Sequence, residues 1–208
     1  MLKMIVDIGY LTNVHLISIE GNLKDRQDFT LPTWGIISNS GRASFIDYNG
    51  NVKNYMESGF LSSPQKVTIS ITNTLTSYSE NVGSYYTEKW SYDETSKTVN
   101  VTFSDRFKKL QDVTDGTKYF RYYNMLNSKR ALDIYNMLVS VTESALSLFA
   151  FNSLDKDTKE WLESIEIKYP FFEIGNLWSY WKKFGEFTQT HIFIDKNGNG
   201  TCKYNGGN

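Results

Sequence analysis

The feature that most constrains this chain is a change of hydrophobic period partway along it. In Val67, Thr68, Ile69, Ser70, Ile71 and Thr72, apolar and hydroxyl side chains alternate. An extended segment with that pattern buries one face and turns hydroxyls outward, as a half-buried antiparallel strand does. Val14 to Ile19, before a Gly21-Asn22 break, reads the same way. Trp90-Ser91-Tyr92 and Thr98 to Phe103 flank the polar link Asp93 to Lys97, which predicts a hairpin. Asn39-Ser40-Gly41 reads as a turn, and Asn49-Gly50 as a second one after Phe45-Ile46-Asp47. Together these segments predict roughly five to seven strands.

Past the short helical-looking Arg106 to Leu110 and the polar Thr114-Asp115-Gly116-Thr117, the period becomes helical. Ala131, Ile134, Tyr135, Leu138, Val141, Ala145, Leu148 and Phe149 fall on one helix face, with Ser128 as the expected N-cap. Leu177, Trp178, Trp181, Phe184 and Phe187 form an aromatic stripe at helical spacing, expected to face a core. The resulting expectation is an α+β chain. A mostly antiparallel, barrel- or sandwich-like β domain covers residues 1–115. A smaller helix-plus-hairpin region covers 116–208, with helices near 128–150, 156–163 and 176–187 and a terminal hairpin over 189–204. A hairpin so close to the end suggests that the natural chain continues or that a partner completes its sheet.

Charge and cysteine usage narrow the function classes. Lys plus Arg number 22 and Asp plus Glu 23, a net charge of −1 that offers nucleic acid or an anionic membrane no attraction. The opening Met1 to Tyr10 has too short an apolar run, broken by Asp7, for a signal peptide or a span, so a cytoplasmic folding environment is expected. On that reading Asn100-Val101-Thr102 and Asn199-Gly200-Thr201 are chance matches to the glycosylation pattern. Cys202 is the one cysteine and cannot form an intrachain disulfide.

Motifs that could carry chemistry are few. Asp195-Lys196-Asn197-Gly198-Asn199-Gly200 opens like a calcium loop, but its twelfth position would be Gly206, so a hairpin turn is favoured. His191 and Cys202 could meet across that hairpin, yet nothing nearby would lower the thiol pKa. His15 is the other histidine, too few for a several-histidine zinc site. Glu160 with Glu163, or Asp155 with Asp157, could form an acid pair for glycoside hydrolysis, but sits among lysines as a solvated helix face. The expectation is therefore no enzyme, no cofactor and no metal.

Leu31-Pro32-Thr33-Trp34-Gly35-Ile36-Ile37-Ser38-Asn39-Ser40-Gly41, followed by Phe45-Ile46-Asp47 and Asn49-Gly50, resembles the N-terminal region of phage tail-tip and baseplate hub proteins. The resemblance continues through Val82 to Thr87, Trp90 to Asp93, Val99 to Asp105, Asp133 to Leu138, Gly175 to Trp178 and Thr188 to Asp195. It implies β-barrel domains that join into a ring, commonly a trimer, closing the tail tube and anchoring receptor-binding proteins. The implied location is the virion tail, assembled in the host cytoplasm, and the implied partners are copies of itself and other tail proteins. Trp34, Asn39 and Gly41 are the candidate subunit interface. Such hub proteins generally continue into further domains or a wall-degrading module, and no such module is visible here. A carbohydrate-binding or adhesin module is the alternative reading, and a cell-wall hydrolase fragment the third.

Overall fold

The computed structural model describes residues 2–12, 14, 16–21, 35–36, 38–113, 128–168, 175–204 and 206. The expected boundary at Thr114 to Thr117 lies outside the described residues. The chain divides into two compact units, one of Met1–Arg26, Asn39–Asp105 and Lys196–Gly198, the other of Gln27–Ser38, Arg106–Asp195 and Asn199–Asn208. The architecture is α+β, with a mostly antiparallel sheet curled into a half-barrel and several helices.

The first unit holds β1 (Leu2–Ile8), β2 (Leu16–Gly21), β4 (Ser40–Ile46), α1 (Asn51–Glu57), β5 (Lys66–Asn73), β6 (Tyr78–Asp93) and β7 (Thr98–Ser104). β3 (Gly35–Ile36) belongs to the second unit. The six strands pair antiparallel in the order β1-β5-β6-β7-β4-β2. Their inward positions form one apolar cluster that includes Val6, Ile8, Ala43, Phe45, Val67, Ile69, Val99, Val101 and Phe103, all buried. The alternation seen in the sequence of β5 is thus the alternation of core and outer face. Edge strands β1 and β2 follow each other in the chain, and the Val14 N–H donates to the Val6 carbonyl at 3.1 Å just ahead of β2.

One local expectation fails, and two features go beyond the sequence reading. β6 runs for 16 residues, with register shifts against β5 at Ile69/Ser70 and against β7 at Thr87/Lys89. Each bulge adds one residue and resets the alternation, so no single period runs along the strand. Asn39-Ser40-Gly41 is not a turn, since Ser40 and Gly41 open β4 and pair with Ser104 and Phe103. Asn39 and Asp105 lock this end of the pairing. The Asp105 N–H donates to the Asn39 carbonyl at 2.9 Å, and the Asn39 N–H donates to Asp105 Oδ2. Finally, the Asn49-Gly50 turn leads into α1, whose Val52 and Lys53 N–H groups donate to Asp47 Oδ2 at 3.0 and 3.1 Å. That carboxylate satisfies donors a helix start leaves open.

The second unit contains β8 (Lys129–Arg130), α2 (Ala131–Ala145), α3 (Lys156–Ser164), β9 (Glu166–Ile167), α4 (Leu177–Thr188), β10 (Thr190–Ile194) and β11 (Gly200–Tyr204). β11 and β10 form an antiparallel hairpin, with β3 parallel to β10. Ser128 does not cap α2: Arg130 precedes its first turn without a side-chain cap, and Lys129–Arg130 pairs with Glu166–Ile167 instead. The cap residues of the other two helices do act. Asp155 Oδ1 accepts from the Thr158 N–H at 2.7 Å, and Asn176 Oδ1 from the Ser179 N–H at 2.9 Å.

From the aromatic stripe, Leu177, Trp181 and Phe184 are buried, Trp178 is half-buried, and Phe187 is 59% exposed. Tyr180, Gly185 and Thr188 are buried on the same helix. α2 ends at Ala145, so Leu148 leaves the helical face with φ +59° and is 99% exposed, while Phe149 turns back into the core.

Candidate functional site

Reactive side chains are committed to structure. Ile192 pairs with Cys202 and His191 with Lys203, so the thiol and the imidazole project from opposite faces of the hairpin. Burial pushes the Cys202 thiol up to about 12, against the lowering effect of its hydrogen bond with Thr190, and the Asp155 carboxylate adds to the rise. A thiol so held is a small packed apolar group and a poor nucleophile. Native protein at pH 8 is therefore expected to leave Ellman's reagent unreacted, with one equivalent of thiol appearing on addition of denaturant. Rapid labelling of the folded chain would show that the strand opens easily.

The calcium-like sequence is a hairpin turn. Asp195 Oδ1 accepts from the Asn199 N–H at 2.9 Å, and Oδ2 accepts from Asn152 Nδ2 at 2.8 Å. Among the described residues there is no group of three or more His, Cys, Asp or Glu that could hold a metal ion. Carboxylates of the acid pairs are likewise engaged locally. Asp155 caps α3, Glu160 lies 3.8 Å from Lys156 and Glu163 4.0 Å from Lys159, all on the exposed face of that helix.

Of the interface candidates, Trp34 lies outside the described residues. Asn39 is buried, and among the described residues its Oδ1 has no hydrogen-bond partner. Gly41 is half-buried between β2 and β7, paired with Gly21 on one side and Phe103 on the other.

The surface feature that sequence reasoning missed is a set of exposed rings in the first unit. Tyr10 follows β1, Tyr48 follows β4, Tyr55 lies in α1, and Phe60 opens a short 3-10 turn, Phe60–Ser62. Tyr10 and Tyr48 are 77% and 66% exposed. The Phe60 ring centroid lies 5.5 Å from Tyr10 and 5.3 Å from Tyr55, both tilted, so the three rings form one patch. Tyr10 and Tyr48 also line a groove of about 250 Å³ with Thr12, Val14, Asn49 and Asn51 on its wall. Among the described residues Asp47 is the only acidic or basic one lining it, and its Oδ2 is engaged at the start of α1. A signal was present in the sequence, where Tyr10 follows Gly9 and Tyr48 precedes Asn49-Gly50, since rings set in turns have no core face to join.

Among the described residues, no helix is long and apolar enough to cross a membrane. No family model matches the sequence, and no curated protein does. Solved structures do match in fold. The 43 kDa tail protein of prophage MuSo2 from Shewanella oneidensis aligns with a TM-score of 0.55 at 12% identity, over 98% of this chain and 56% of that one. A tail protein from Neisseria meningitidis MC58 aligns with a TM-score of 0.53 at 12% identity, over 97% of this chain and 50% of that one. The chain thus spans about half the length of each and has, along nearly all of its own length, the fold found in these tail proteins.

Proposed function

We propose that this chain is a structural, non-enzymatic subunit of a phage tail. In this reading it joins copies of itself, as a trimer, into a ring at the tail tip or baseplate. The ring closes the tube and anchors receptor-binding proteins, its partners are other tail proteins rather than nucleic acid or membrane, and its place is the virion. The observation that carries the proposal is the fold shared over 97–98% of the chain with two tail proteins. The surface is compatible with it. A cyclic ring needs two different complementary patches on each subunit. Edge strands β1 and β2 and the exposed rings supply candidates for both. The stretch containing Trp34, Asn39 and Gly41 is retained as a proposed contact.

Size-exclusion chromatography with light scattering, over a concentration series, tests the ring. The expected mass is about three times the 24.0 kDa of the chain, dissociating on dilution, and Trp34→Ala is expected to shift the equilibrium toward single chains. A single-chain mass at every concentration would sink the ring.

A further inference from the structure

We propose that the groove lined by Tyr10 and Tyr48 binds a neutral saccharide, a property separate from ring assembly. Three observations point to that class of ligand. The groove is concave and small, about 250 Å³, below the roughly 300–1,000 Å³ of pockets that enclose drug-sized ligands. A space of that size takes a sugar ring. The two tyrosines come from different turns, one after β1 and one after β4, and both keep most of their surface in water. The negative face of such a ring attracts the polarised C–H bonds on the apolar face of a pyranose.

Apart from Asp47, the polar groups among the described lining residues include neutral ones, the Thr12 hydroxyl and the Asn49 and Asn51 amides, each able to donate and accept, as sugar hydroxyls require. Among the described residues no lysine or arginine lines the groove, which disfavours phosphate or carboxylate ligands, and Asp47 already accepts two backbone N–H groups through Oδ2. What remains is an uncharged ligand with one apolar face and a rim of hydroxyls.

Saturation-transfer NMR on the full chain tests this, with the methyl glycosides of glucose, galactose and N-acetylglucosamine as probes. At least one is expected to receive saturation on its ring C–H protons, with affinity near the millimolar range. Tyr10→Ala and Tyr48→Ala are each expected to weaken that binding about tenfold, since each removes a stacking surface. Leu75→Ala, an exposed residue outside the groove, is expected to leave it unchanged. Asn49→Ala serves as a second groove variant should a tyrosine variant fail to fold, and its thermal melt should match the parent. The proposal is overturned if none of the three glycosides binds, or if binding survives the double tyrosine variant undiminished. It is equally overturned if that variant lowers the oligomer mass while no glycoside binds, because the groove is then a subunit contact.

Discussion

Trp181→Ala is expected to destabilise the second unit by about 3–5 kcal/mol, the range for removing a fully buried large aromatic side chain. The ring has no exposed surface and is held on several sides. It stacks on Phe151 at 5.1 Å, meets Tyr135 edge-on at 5.9 Å and meets Phe184 edge-on at 5.9 Å. Its Nε1–H donates to Thr142 Oγ1 at 2.7 Å, a buried bond that joins α4 to α2. Alanine would leave a cavity among these rings and a buried hydroxyl without its donor, a further cost of about 1 kcal/mol. Domains have only about 5–15 kcal/mol in total, so most of the reserve would go. Hydrogen exchange would measure it, through loss of protection in α2 and α4. The core of the first unit is a separate apolar cluster, so β5, β6 and β7 are expected to keep theirs. Thr142→Val removes only the acceptor and should cost less. If it costs as much as Trp181→Ala, the polar contact outweighs the packing.

The next largest effect is expected at Gly41. A Cβ built there would stand 2.8 Å from the Glu20 carbonyl oxygen and 2.8 Å from two atoms of the Phe103 ring. The ring could rotate only within a full core, and the carbonyl belongs to the ladder between β2 and β4. Gly41→Ala is thus an overpacking change, expected to cost about 1–3 kcal/mol. That corresponds to about 2–4 °C of melting temperature per kcal/mol in a chain of this size. The measurement also separates two roles for this residue. Cost through the sheet appears in dilute single chains, whereas a contribution at a subunit contact appears only in the oligomer. An unchanged melt at high dilution would refute the sheet role.

Signals that act over a few residues were legible. Alternation in β5 follows from the two-residue repeat of an extended chain beside a core, and the Trp90-to-Phe103 hairpin follows from two such strands around a polar link. The aromatic stripe of α4 follows from 3.6 residues per turn, as do its buried Leu177, Trp181 and Phe184. Phe187 and Leu148 broke the same patterns, because each lies where the helix face is running out and the chain is about to turn. Of the candidate sites, the commitment of Asp195 to a turn was legible from its glycines and asparagines. The Tyr10 and Tyr48 groove was not, since its walls come from segments more than thirty positions apart.

By itself, then, the sequence determined the α+β character, the hairpins and the inward faces of strands and helices, since period and turn chemistry are properties of neighbouring residues. Only the tertiary structure decided the β1-β5-β6-β7-β4-β2 order, the bulges of β6, the use of Ser40 and Gly41 inside a sheet, and the meeting of Tyr10 with Tyr48 around a groove. Each of these depends on what a distant strand places opposite a residue, and that partner is set by packing of the whole unit rather than by the residue's own neighbours.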